Sequence, residues 1–356
     1  WVTPSWSVLA DVLVEAGETD ALAERLRLSK DPAEQTRPAA FALALAQGDA
    51  GTALKHFELD FEAIEVTGRD YFRIIDLGPW WAFAPTLLPF TFVLVLIGLM
   101  MALAPLVLLV PAHYRGLARR VAGRPPEPVL PGLGLAHAWY GLAIGLLLLP
   151  TVVLGLVQPR VMGELFAGND AAAQSLTVML WSSLASLLAL VPTLYWLRLP
   201  QWTVAGREWR GMAGRVLLAY LLGYAVAVAC GWTANWAASS GVDVPTSTFQ
   251  GSLLEDGLAS YGFFGTLLVI GVLVPIVEEW IFRGLLLAGL ARHIHFAWAN
   301  LAQASLFMLI HDDTVRFPFY LALGLLAGWL VKRYRSLLPA VLLHMTNNIM
   351  VLVLLA

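Results

Sequence analysis

The sequence predicts an all-α protein: a polytopic membrane helical bundle of about eight spans, preceded by a small soluble α-helical domain. Three observations predict it. First, 59% of the 356 residues are hydrophobic and only 13% charged, with 14 Trp, beyond what a soluble domain carries. Second, apolar runs long enough to cross about 30 Å of hydrocarbon recur from Trp80 onward. Third, charge is sorted along the chain: residues 1–76 hold 14 Asp or Glu against 7 Lys or Arg, whereas residues 77–356 hold 11 against 15. This divides the chain into a soluble acidic domain at 1–76 and a membrane domain at 80–356.

In the acidic domain, 5–16, 20–28, 33–47 and 51–64 read as short amphipathic helices, separated by Gly17, Asp31-Pro32 and Gly48-Asp49. The stretch from Phe41 to Leu54 is similar to a tetratricopeptide-type helical hairpin, one partial repeat only; a plain helical cap fits the same residues. The start at Trp1, with no basic stretch leading into an apolar one, reads as a processed or truncated end. A single cysteine, Cys230, excludes a disulfide framework and a thiolate zinc site.

The expected spans are 90–110, 136–157, 176–197, 216–236, 261–290, 296–310, 317–331 and 337–355. Arg115, Arg119, Arg120 and Arg124 follow the first, and Arg198, Arg207, Arg210 and Arg215 follow the third. Cytoplasmic loops retain Lys and Arg, so residues 1–76 are expected on the extracytoplasmic side. Short loops rich in Ala, Leu and Arg suggest a bacterial inner membrane. The run 261–290 is long for one crossing, about 45 Å at 1.5 Å per residue, and Pro275 offers a break. A turn there brings Glu278 and His311 to one membrane face. Without it, Lys332, Arg333 and Arg335 fall on the cytoplasmic side as charge counting prefers, but Glu278 and His311 are expected at different depths.

Polar residues inside these late spans carry the chemistry. A carboxylate at bilayer depth costs about 2.5–3.5 kcal/mol on insertion scales, so the pair Glu278-Glu279 needs a reason to be there. Glu279 and Arg283 are four apart and can pair along one helix face, which leaves Glu278 without a partner; Phe282, one turn on, shields it from water. Phe307 and His311, and likewise His344 and Asn348, are each four apart and share a face. Three helices can thus aim Glu278, His311, His344 and Asn348 into one cavity, with a base to activate water and donors for an oxyanion. Each also has a plainer reading: Glu279 and Arg283 as a structural pair, a lone His as a satisfied core histidine, Asp312 and Asp313 as a solvated turn.

The order EExxxR (Glu278, Glu279, Arg283), FxxxH (Phe307, His311) and HxxxN (His344, Asn348) resembles the three motifs of the CAAX prenyl endopeptidase and bacteriocin-processing (CPBP) family of intramembrane glutamate endopeptidases. The resemblance covers residues 261–356, a protease-like core. It implies that Glu278 is the general base, that His311, His344 and Asn348 position water and stabilise the oxyanion, and that Glu279, Arg283, Phe282 and Phe307 support them. Some family members act on prenylated proteins, so the implied partners are membrane lipid and a protein or peptide substrate, lipidated in some cases.

Zinc is the nearest competing chemistry, with Glu278, His311 and His344 as its ligands; the absence of an HExxH helix favours a site with no cofactor. A silent family scaffold, acting as a membrane assembly or partner-binding subunit through residues 1–76, is the alternative from another class. A proton-relay transporter fits less well, because intramembrane charge is confined to the last third. Nucleic acid is not expected as a partner, since the chain lacks basic tracts.

Overall fold

The computed structural model describes residues 5–58, 60, 64–78, 88–124, 127–169, 175–195, 202–204, 208–244 and 249–355; the expected basic residues Arg198 and Arg207 lie outside them. All regular structure among the described residues is helical. The chain divides into two compact units, Trp1–Gly98 with Leu154–Ala173, and Leu99–Val153 with Gln174–Ala356.

The first unit opens with α1 (Trp6–Glu15), α2 (Thr19–Leu28), α3 (Ala33–Ala46), α4 (Ala50–His56) and α5 (Ile64–Asp76). Small residues let α1, α2 and α3 meet, with Ala10, Leu22 and Ala39 at most 1% exposed. Asp49 caps α4 by accepting from the Thr52 N–H at 2.9 Å. The expected helix 51–64 ends early, because Phe57 turns to an extended conformation at φ −65° and ψ 133°. Residues 64–76 instead form α5, an element the sequence reading did not place. α5 packs Tyr71 and Phe72 with Phe90, Met162 and Phe166, so the short helix Pro159–Phe166, read from sequence as an interspan loop, belongs to this unit. Gly163 makes the approach feasible, since a Cβ there would stand 3.2 Å from the Arg69 carbonyl oxygen.

The apolar helices follow: α6 (Leu88–Leu103) and α7 (Leu106–Val121), together one span of 34 residues, then α8 (Leu135–Val157), the short α9 (Pro159–Phe166), α10 (Leu176–Tyr195), α11 (Trp209–Ser239), α12 (Gly251–Ala291), α13 (Phe296–Leu309), α14 (Phe317–Tyr334) and α15 (Leu338–Leu355). Each of the eight expected apolar segments is helical over most of its described residues. Among the described residues six helices are long and apolar enough to cross a membrane: α6 with α7, α8, α10, α11, α12 and α15. α13 has only 14 residues, about 21 Å at 1.5 Å per residue. α14 carries Lys332 and Arg333 in its last turn. The chain is an integral membrane protein.

In the second unit α13 and α14 approach closely because α14 offers glycine where α13 offers side chains. A Cβ on Gly324 would stand 2.8 Å from Ala304 Cβ, and Gly328 lies against Asn300. The contact is sealed by side chain to backbone hydrogen bonds: Asn300 Nδ2 donates to the Leu325 carbonyl at 3.0 Å, and Gln303 Nε2 to the Gly324 carbonyl at 2.9 Å.

α12 decides between the two alternatives at Pro275 in favour of no turn there. The chain bends at Gly262, whose φ of 66° and ψ of 179° suit glycine alone, and then runs on through Pro275 to Ala291. Proline is accommodated because residues 267–273 widen into a π-helical stretch. There the Val274 N–H donates to the Val269 carbonyl, five residues back. The partner of the Ile270 carbonyl in the same register would be residue 275, which as proline has no N–H to give.

Candidate functional site

The site is built where α12, α13 and α15 meet beside α14. Of the two alternatives posed by the sequence, the chain takes the one without a turn at Pro275. α12 and α13 form an antiparallel hairpin about the turn 292–295. Glu278 lies 14 residues before Arg292, about 21 Å along the helix, and His311 lies 16 residues after His295, about 24 Å. Equal arms place them at similar distances from the turn without any break at the proline.

The two carboxylates have different surroundings. Glu279 is 1% exposed, and its Oε1 accepts from Arg283 Nη1 at 2.8 Å and from His344 Nδ1 at 3.0 Å. Arg283 is fully buried, and its guanidinium carbon stands 4.2 Å from the centre of the Phe307 ring. Glu278 remains 16% exposed at its side chain. Its Oε2 has no hydrogen-bond partner and stands 3.8 Å from His344 Nε2. His344 is therefore held between two acids, with the Nδ1 proton given to Glu279 and Nε2 turned to Glu278. Two carboxylates and one guanidinium leave one negative charge, which a proton on His344 or Glu278 cancels; buried charge without such balance costs several kcal/mol.

Phe307 joins the remaining residues. Its ring lies 5.4 Å from Phe282, 5.7 Å from His344 and 4.4 Å from His311. Its carbonyl meets His311 Nδ1 at 2.7 Å. A carbonyl only accepts, so Nδ1 carries the hydrogen and Nε2 of the neutral ring is an acceptor. The other face of His311 is covered by Tyr320 of α14, a stacked ring at 4.1 Å that the sequence reading did not select. No signal in the sequence singled out Tyr320, seven residues after Asp313. Asp313 departs from its expected solvated role: it is 3% exposed and accepts from the Arg316 N–H at 3.0 Å, capping α14.

Asn348 reaches the group from α15, but one of its amide hydrogens is committed. Nδ2 donates to the Ile270 carbonyl at 2.9 Å, the acceptor that Pro275 cannot serve. Its Oδ1 accepts from Asn347 Nδ2 at 3.1 Å. One Asn348 N–H is left for other use.

Three of the four residues expected to act, Glu278, His311 and His344, and the four expected to support them, Glu279, Arg283, Phe282 and Phe307, are linked by these contacts; Asn348 lies one turn after His344 on α15 and bonds to Ile270 and Asn347 instead. Among the described residues no three His, Cys, Asp or Glu are grouped so as to hold a metal ion.

Residues 260–350 match the family model Rce1-like, described as type II CAAX prenyl endopeptidase Rce1-like. The matched segment, about a quarter of the chain, holds Glu278, Glu279, Phe282, Arg283, Phe307, His311, His344 and Asn348 and is similar to CAAX-protease-type intramembrane endopeptidases. No curated protein and no solved structure matches the chain.

Proposed function

We propose that the chain is an intramembrane endopeptidase that hydrolyses a peptide bond near the membrane interface, with Glu278 as the base. The observation that carries this reading is the inequality of the two adjacent acids. Glu279 is committed through Oε1 to Arg283 and His344, though its Oε2 is buried without a partner, while Glu278 accepts no hydrogen bond among the described residues and is partly exposed. A water between Glu278 and His311 Nε2 finds two acceptors. Glu278 takes one proton as the water oxygen bonds to the carbonyl carbon, and the proton then passes to the amine as the C–N bond breaks. His344, protonated while Glu278 is ionised, and the remaining Asn348 N–H supply positive charge and a donor for the oxyanion. Arg283 and Glu279 keep His344 in place, Phe282 and Phe307 exclude bulk water, and no metal or cofactor takes part. The substrate is a protein or peptide held at the membrane, a lipidated chain end among the candidates, and residues 1–76, placed outside the cytoplasm by the positive-inside rule, dock a protein partner or gate the substrate. A bacterial inner membrane is the setting this reading assigns.

The test uses the purified full chain in phosphatidylcholine vesicles with two probes, a farnesylated CAAX peptide and an unlipidated transmembrane peptide, followed by mass spectrometry of the fragments. Cleavage of either is expected, reduced about 10³-fold in Glu278→Gln. Equal cleavage by Glu278→Gln, or no cleavage of either probe, transfers the chain to the scaffold reading.

A further inference from the structure

A second cluster of titratable groups lies where the ends of α7, α12 and α8 come together, away from the acid pair. On α7, His113, Gly116 and Arg120 are spaced by three and four residues and share a face. Gly116 has no side chain, and the turn after α12 fills the space: a Cβ there would stand 2.6 Å from His293 Nδ1 and 2.9 Å from His293 Cβ. The rings of His113 and His293 are 6.1 Å apart. Arg292, the neighbour of His293, donates from Nη1 to the Leu133 carbonyl at 3.2 Å. Gly289 tightens the same junction, since a Cβ there would stand 2.7 Å from the Gly134 carbonyl oxygen.

The cluster is cationic and has no internal counter-charge. His293 Nδ1 is sealed from solvent without a hydrogen-bond partner. Burial, then the neighbouring Arg120, His113 and Arg292, holds its imidazole below the usual range, and no carboxylate acts on it. Among the described residues neither Arg120 nor Arg292 forms an ion pair with Asp or Glu. Apolar and aromatic side chains flank this group on the same helices: Tyr114 is 66% exposed and Leu117 51% on α7, and Trp298 is 64% exposed in the first turn of α13. Cations at span ends with exposed aromatics beside them mark the headgroup level of a bilayer.

We propose that His113, Arg120, Arg292 and His293 form a binding site for the phosphate group of an anionic phospholipid, with its acyl chains lying along Tyr114, Leu117 and Trp298. The glycine at 116 is the part that makes the site, because it lets the turn bearing Arg292 and His293 settle onto α7 within reach of Arg120. None of these residues belongs to the acid cluster on α12, and the assignment stands whether or not the chain cleaves peptides. A free phosphate ion shares the chemistry of the headgroup, and the acyl-facing side chains select the lipid.

The experiment uses the delipidated full chain in a neutral detergent, titrated with phosphatidylglycerol or phosphatidylcholine and read by native mass spectrometry. Tighter retention of phosphatidylglycerol is expected, by about fivefold for each arginine engaged, since each basic side chain near an anionic surface contributes about 1 kcal/mol. Arg120→Gln with Arg292→Gln abolishes the preference, Gly116→Leu weakens it by displacing the turn, and Arg333→Gln, a cation at the end of α14, leaves it intact. Equal retention of the two lipids overturns the proposal, as does an unchanged preference in the double variant. Displacement of phosphatidylglycerol by millimolar inorganic phosphate overturns it in favour of a free-anion site.

Discussion

Two cationic regions of this membrane protein are treated oppositely by their surroundings. Within the bundle, Arg283 is fully buried and is answered by Glu279 at 2.8 Å, with His344 and Glu278 completing the balance. At the end of α7 and in the turn after α12, Arg120 and Arg292 are exposed and, among the described residues, form no ion pair with an acid. The difference follows the solvent. A guanidinium out of water needs a counter-charge from the chain, whereas one at the interface can draw on water or on lipid phosphate. Charge balance therefore separates a region that supplies its own counter-charge from one whose counter-charge comes from outside.

The comparison is broken most severely by Arg283→Leu, which leaves two buried acids facing each other across His344. A loss of about 3–5 kcal/mol is expected in denaturant titration of the detergent-solubilised chain. Adding Glu279→Gln should recover a large part of that loss, because the pair is then removed together; a double variant no more stable than the single one would show that packing, not charge, holds Arg283. The next effect comes from a neutral buried group. Asn348→Ala leaves the Ile270 carbonyl unserved and should cost about 1–3 kcal/mol. Pro275→Ala supplies the missing N–H, so in that background the same Asn348 change should cost much less, and a double-mutant cycle with no coupling would sink the link. The smallest effect belongs to the interface. Arg120→Gln with Arg292→Gln should alter stability in neutral detergent by less than about 0.5 kcal/mol, with any larger change confined to anionic lipid.

The candidate site was legible because an apolar segment makes its exceptions conspicuous. Glu278, Glu279 and Arg283 stand out against Val277 and Ile281, and their spacing alone pairs the second acid with the arginine. Tyr320 was not legible, because nothing in its own helix marks which ring it will cover. The bend of α12 was misplaced for a related reason. Proline is the strongest local breaker in a sequence, yet its lost hydrogen bond is compensated here by a widened turn and by Asn348, 73 residues later; Gly262 looks unremarkable until its backbone angles are known. Likewise α5 and Pro159–Phe166 find their apolar faces in each other across more than 80 residues, which no local pattern reports.

The brevity of α13 has a consequence for what can be brought to the acid cluster. With 14 residues, it returns from the turn at 292–295 only partway across a bilayer, and His311 sits where it stops. The hairpin of α12 and α13 therefore works as a depth gauge. A chain reaching Glu278 from the side of that turn must present about 20 Å of its own length, the span of roughly six extended residues, before any bond lies within reach. On the proposed endopeptidase reading, length of tether, as much as side-chain identity, would then sort the substrates.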